Sequence, residues 1–114
     1  MISSLYGTEN SYPSTSVTNY NHFSTNLLGS WNATINIRDQ RMPGSFTLSE
    51  LYVLLDVAPA SGKSWQFDIM KNGSTTGGTV TISDTAVTAT DSTNSVTFAA
   101  GDSVSLRSVP SGTP

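Results

Sequence analysis

Gly62-Lys63-Ser64 ends like a phosphate-binding loop, so nucleotide chemistry is the first possibility to weigh. A complete loop has a glycine five residues before the Gly-Lys pair, which lets successive N–H groups point at the phosphates. It also has a helix straight after the hydroxyl residue, whose N-terminus holds the anion. Here the first position is Val57. After Ser64 come Trp65, Phe67 and Ile69 alternating with Gln66, Asp68 and Met70, a period of two that predicts a strand. The nucleotide reading is set aside. Residues 58–64 read instead as a turn broken by Pro59 and Gly62, a hairpin connection between two strands.

Other chemistry is equally sparse. The eight carboxylates are spread along the chain, most of them in turns or at outward strand positions. Asp84 and Asp91 flank a short predicted strand and have the right oxygen chemistry to share a calcium ion, but Asp residues in Ser/Thr-rich loops ordinarily cap turns. His22 is the only histidine, so a His-based zinc site cannot be completed. No Gly-x-Ser-x-Gly elbow accompanies the many serines. Asn32 and Asn72 head glycosylation acceptor tripeptides, which arise by chance where Ser and Thr make up roughly a third of the residues. Trp31 and Tyr52 have the chemistry of a sugar-stacking platform, although aromatic core or subunit contacts are the commoner use of such residues. We expect no catalytic residues, no metal site, no cofactor and no enzymatic activity.

Composition bounds what must position these residues. At 114 residues the chain is one domain with one core. Charged residues are 11%, far below the roughly 25% of an average domain, so the exterior is neutral and rich in hydroxyls. The net charge of −3 and five scattered Lys and Arg provide no basic stripe for phosphates, and nucleic-acid binding is not expected. There is no Cys, hence no disulfide framework. The longest apolar run, residues 51–60, is broken by Asp56 and is about half the length of a spanning helix, so no membrane partner is expected. Met1 is followed by Ile2-Ser3-Ser4 without the basic and apolar regions of a secretory signal; any export is expected by another route, such as assembly inside a cell and release in a particle.

Residues 7–30 are polar and follow neither the helical nor the strand period, although Tyr12, Tyr20 and Phe23 are spaced through them. Such a stretch buries too little apolar area to offset its ordering entropy alone. It is either an irregular leader lying on its own domain or an arm that docks on a neighbour. Residues 1–30 are accordingly assigned to an extended arm and 31–114 to a β-sandwich.

Within the second part the predicted strands are 34–38, 46–57, 64–71, 79–83, 86–90, 95–99 and 103–109, rich in β-branched and aromatic residues. Leu51, Val53, Leu55, Val57, Trp65, Phe67, Ile69, Val80, Ile82, Val96, Phe98, Val104 and Leu106 are predicted to face inward. Asn72-Gly73 predicts a type I′ hairpin turn, "TTGGT" a flexible stretch behind it, and Gly101-Asp102 a further turn capped by the Asp. "SELYVLLDV" is the one rival for a helix; its β-branched flanks and nearby proline favour a strand. The fold class is all-β, an antiparallel sandwich.

From about Trp31 onward, "TLSELYVLLDVAPASGKSWQFDIMKNG" and "TVTISDTAVTATDSTNSVTFAAGDSVSLRSVPSGTP" resemble virion-associated jelly-roll domains of tailed phages. The "GDSV" turn and following strand also resemble the late strands of trimeric jelly rolls of the tumour-necrosis-factor and complement-head type. The resemblance covers about three quarters of the chain and rests on turn and strand signatures, which speak to fold more than function. It implies a jelly-roll-like sandwich and a structural role in the virion: a homotrimeric decoration or cement protein on the major capsid protein, or the head of a tail fibre or spike. In the second case residues 73–78 and 91–94 would meet a host glycan. Related sequences continue past "PSGTP" into a further strand. Here a neighbouring subunit closes the sandwich, the first segment supplies the strand, or the chain is a fragment. The residues expected to meet a partner are Tyr12, Tyr20, His22, Phe23 and Trp31.

Overall fold

The computed structural model describes residues 14–21, 33 and 40–114. Among them every regular element is a strand: β1 (Asn19–Asn21), β2 (Gln40–Arg41), β3 (Phe46–Leu54), β4 (Ala60–Lys71), β5 (Ser74–Asp84), β6 (Thr88–Phe98) and β7 (Ser103–Ser111). They form two antiparallel sheets whose inner faces share one core, a β-sandwich. The larger sheet has the order β1-β7-β4-β5, with β2 also on β7; the smaller is β3-β6. "SELYVLLDV" is therefore strand.

β1 and β2 lie in line along one edge of β7. Asn19, Tyr20 and Asn21 pair with Ser108, Arg107 and Leu106, and Gln40 and Arg41 pair with Val104 and Ser103. Residues 19–21 of the polar leader thus belong to the larger sheet. Asn19 is fixed there: its side-chain oxygen accepts the Ser14 N–H at 2.7 Å.

Alternation builds the core. Trp65, Phe67, Ile69, Val80, Ile82, Val104 and Leu106 come from the larger sheet, and Leu48, Leu51, Val96 and Phe98 from the smaller. Phe98 has no exposed surface and stacks on Phe46 with ring centroids 5.2 Å apart. Leu48 and Leu51 both point inward although three residues apart, which strict alternation forbids. The register moves from Ser49↔Ser95 to Leu51↔Asp91 across Glu50, whose φ is 56°. This bulge restores the inward set.

Four expectations need correcting. Residues 58–64 are not a hairpin connection: β3 and β4 lie in different sheets, and the chain crosses between them over residues 55–59. Val57, beyond the end of β3, is 74% exposed rather than inward. The strands 86–90 and 95–99 are one strand, β6. "TTGGT" belongs to the start of β5 instead of a flexible stretch. The expected strand 34–38 lies outside the described residues.

A tight hairpin joins β4 to β5, where Asn72 (φ 50°) and Gly73 (φ 80°) take the paired left-handed conformations of a type I′ turn. Its tip locks onto the β6–β7 turn. Asn72 donates from Nδ2 to Asp102 Oδ1 at 2.9 Å and accepts the Ser103 N–H at Oδ1, also at 2.9 Å. Asp102 caps that turn by accepting the Ala99 N–H at 2.8 Å, as its position beside Gly101 predicts.

A polar cleft on the larger sheet

The outward positions of β4, β5 and β7 converge on a carboxylate. Asp68 pairs directly with Arg107 on one side and Thr79 on the other, and Arg107 in turn pairs with Tyr20. Directly paired residues of antiparallel strands share a face. Thr79, Asp68, Arg107 and Tyr20 therefore form a row across four strands, with Gln66 two residues from Asp68 on the same face.

Asp68 is only 3% exposed although it points away from the core. A buried carboxylate needs compensating donors, and this one has them on both oxygens. Oδ1 accepts Thr79 Oγ1–H at 2.6 Å and Gln66 Nε2–H at 2.9 Å. Oδ2 accepts Arg107 Nε–H at 2.8 Å and Nη2–H at 2.6 Å. A carboxylate held on both oxygens in this way ties three strands together. Because a carboxylate only accepts, Gln66 must present its amide N–H to it and keep its carbonyl oxygen free of it. Arg107 Nη1 likewise stands outside the pair.

Beside this network lies a cleft of about 410 Å³ lined by Gln66, Asp68, residues 75–79 and Arg107. A bulge in β5 makes its wall. The register moves from Asp68↔Thr79 to Met70↔Thr75, so three β5 residues stand opposite Ile69. Thr76 Oγ1 donates to the Ile69 carbonyl at 2.9 Å and accepts the Gly78 N–H at 3.1 Å, which fixes the bulge. Gly77 has φ 125°, a conformation that favours glycine, and a Cβ on Gly78 would press on the Ile69 and Val96 side chains, 2.9 Å from Ile69 Cδ1.

The smaller sheet is different. Tyr52 and Leu54 on the outer face of β3, with Val57 and Val87 just beyond the strand ends, form an exposed apolar end. The Leu55 N–H donates to the Val87 carbonyl at 2.7 Å and holds the two crossings together.

Asp84 and Asp91 both act as caps. Asp84 Oδ1 accepts the Gly62 N–H at 2.8 Å. Asp91, facing inward opposite Leu51, accepts the N–H groups of Asn94 at 3.0 Å, Thr93 at 3.1 Å and Thr79 at 3.3 Å. Burial opposes its ionisation, but these N–H groups and the Asn94 amide outweigh it and hold the carboxyl below its ordinary 3.8. Among the described residues no group of three or more His, Asp or Glu is placed to hold a metal ion.

Of the residues expected to meet a partner, Tyr20 sits at the end of the Asp68 row, half-buried beside Arg107 in the register. Tyr12, His22, Phe23 and Trp31 lie outside the described residues. Gln66, Asp68, Thr79 and Arg107 were not singled out by sequence. Their outward parity was readable, but their convergence depends on pairing between distant strands. No family model, curated protein or solved structure matches this chain.

Proposed function

We propose that this chain is a structural virion protein, a jelly-roll-like decoration or cement protein that associates as a homotrimer and stabilises an assembled capsid. The observation that carries the reading is the exposed apolar end of the smaller sheet. Tyr52 is 53% and Leu54 64% exposed, side by side on a sheet with only two strands among the described residues. Contiguous exposed apolar side chains mark contact surfaces, and an unpaired strand edge accepts further strands. A low-charge, hydroxyl-rich exterior suits lasting contact with other proteins.

The mechanism is mass action without a catalytic step. A protein that binds the assembled shell but not its loose subunits stabilises the shell by RT ln(1 + [L]/Kd), about 2.7 kcal/mol at roughly 100-fold excess over Kd. The apolar end supplies the subunit contact, and the polar residues before Ser14 supply the contact with the shell.

Native mass spectrometry and particle co-sedimentation test this. The parent chain is expected to be trimeric and to sediment with capsids at a copy number that tracks the capsid subunits. Tyr52→Ser with Leu54→Ser should stay folded and lose the trimer. Deletion of residues 2–13, which spares the Ser14–Asn19 lock and β1, should keep the trimer and lose particle binding. A parent chain that is monomeric and ignores capsids would reject the proposal.

A further inference from the structure

The polar cleft on the larger sheet is independent of the apolar end and asks for a different kind of partner. Its volume, about 410 Å³, falls within the roughly 300–1,000 Å³ of small-molecule sites. Its floor is the Asp68–Arg107 pair, closed at 2.6 Å. From these features we infer that the cleft binds a neutral polyhydroxylated ligand, a saccharide unit.

The argument is one of charge and hydrogen-bond inventory. Asp68 and Arg107 neutralise each other, so an anionic ligand meets the carboxylate and a cationic one meets the guanidinium. Neither gains a net Coulombic partner. What the cleft offers is mixed. Gln66 presents a carbonyl oxygen, Arg107 keeps Nη1 outside the pair, and Thr79 has spent its proton on Asp68 and retains acceptor capacity. Thr75 adds an exposed hydroxyl at the rim that both donates and accepts. Alternating donors and acceptors without net charge match a ligand whose every group is a hydroxyl. The wall is preorganised, because the bulge is fixed by the Thr76 bonds and by the left-handed backbone of Gly77. That lowers the ordering cost of binding.

The test is a nitrogen-15 NMR titration of the full chain with glucose, galactose, mannose, N-acetylglucosamine and, as the acidic comparison, N-acetylneuraminic acid. Four or five hydrogen bonds and no stacking place a single unit in the millimolar range, so titration extends to roughly 100 mM. At least one neutral sugar should shift the amides of residues 75–79 and the Arg107 Nε signal. Thr75→Val, an exposed and nearly isosteric change, should weaken that response about threefold or more. Gln66→Leu should weaken it further, its fold checked by circular dichroism; should it unfold, Thr75→Val decides alone. No response to any neutral sugar, a response to the acidic sugar only, shifts centred on Tyr52 and Leu54, or an unchanged Thr75→Val titration each overturn the inference. None of these outcomes depends on whether the chain binds a capsid, so the two proposals stand or fall separately.

Discussion

The two sheets present opposite outer faces from the same alternating pattern. On the larger sheet the outward residues of the row are polar and tied into one network around a buried carboxylate, Asp68. On the smaller sheet the outward residues near the end of β3 are apolar yet exposed. Polarity alone therefore does not sort this molecule's residues into inside and outside. In the larger sheet several strands lie side by side, so a charge can find partners on both flanking strands. In the smaller sheet, two-stranded among the described residues, an outward side chain has one described strand beside it.

This contrast can be broken from three directions. The largest effect is expected at the shared core, where Phe98→Ala removes a fully enclosed ring stacked on Phe46. It should cost about 3–5 kcal/mol in urea unfolding. Tyr52→Ala on the opposite face of the same sheet should change stability by less than about 0.5 kcal/mol. Next comes the network. Arg107→Ala leaves the Asp68 carboxylate buried with only Gln66 and Thr79 as donors. A loss of about 2 kcal/mol is expected, below that of a fully buried pair because the Arg107 side chain is 24% exposed. A double-mutant cycle with Asp68→Ala should recover part of it. If Arg107→Ala is neutral, the row is decoration and the two faces do not differ in kind.

The smallest effect is a pH dependence in the smaller sheet. Asp91 titrates below its ordinary 3.8 in the folded chain. On acidification the unfolded chain takes up its proton first. The stability Asp91 contributes is therefore complete above about 3.8 and is lost as pH falls through the lower folded value. Asp102 acts in the same direction, held down by the Ala99 N–H, the Asn72 amide and Lys71. Asp91→Asn should flatten the acid limb of a stability-against-pH curve; an unchanged limb would remove Asp91 from the explanation.

Much of the sandwich was readable, because inward residues such as Trp65, Phe67, Val80 and Ile82 obey a period of two, and Asn72-Gly73 permits few turns. The misreadings share a cause. "DSTN" has the composition of a turn, and Asp91 does accept the N–H groups of Thr93 and Asn94 as a turn Asp would, but it does so inside β6. The local chemistry was correct, and the chain continued instead of reversing. Likewise Pro59 and Gly62 mark a break, but nothing local tells a hairpin from a crossing to the other sheet. The Asp68 network was hidden for the same reason: Asp68 and Arg107 are 39 residues apart and meet only through the β4–β7 register.

The shared edge of β7 has a further consequence. β1 leaves that edge opposite Leu106 and β2 rejoins it opposite Val104, so the ladder resumes two positions from where it stopped. That edge is thus a composite, closed by one segment of three residues and one of two instead of a single long strand. Losing either one would bare backbone N–H and C=O groups of β7, and a bared edge is a template on which another chain can pair.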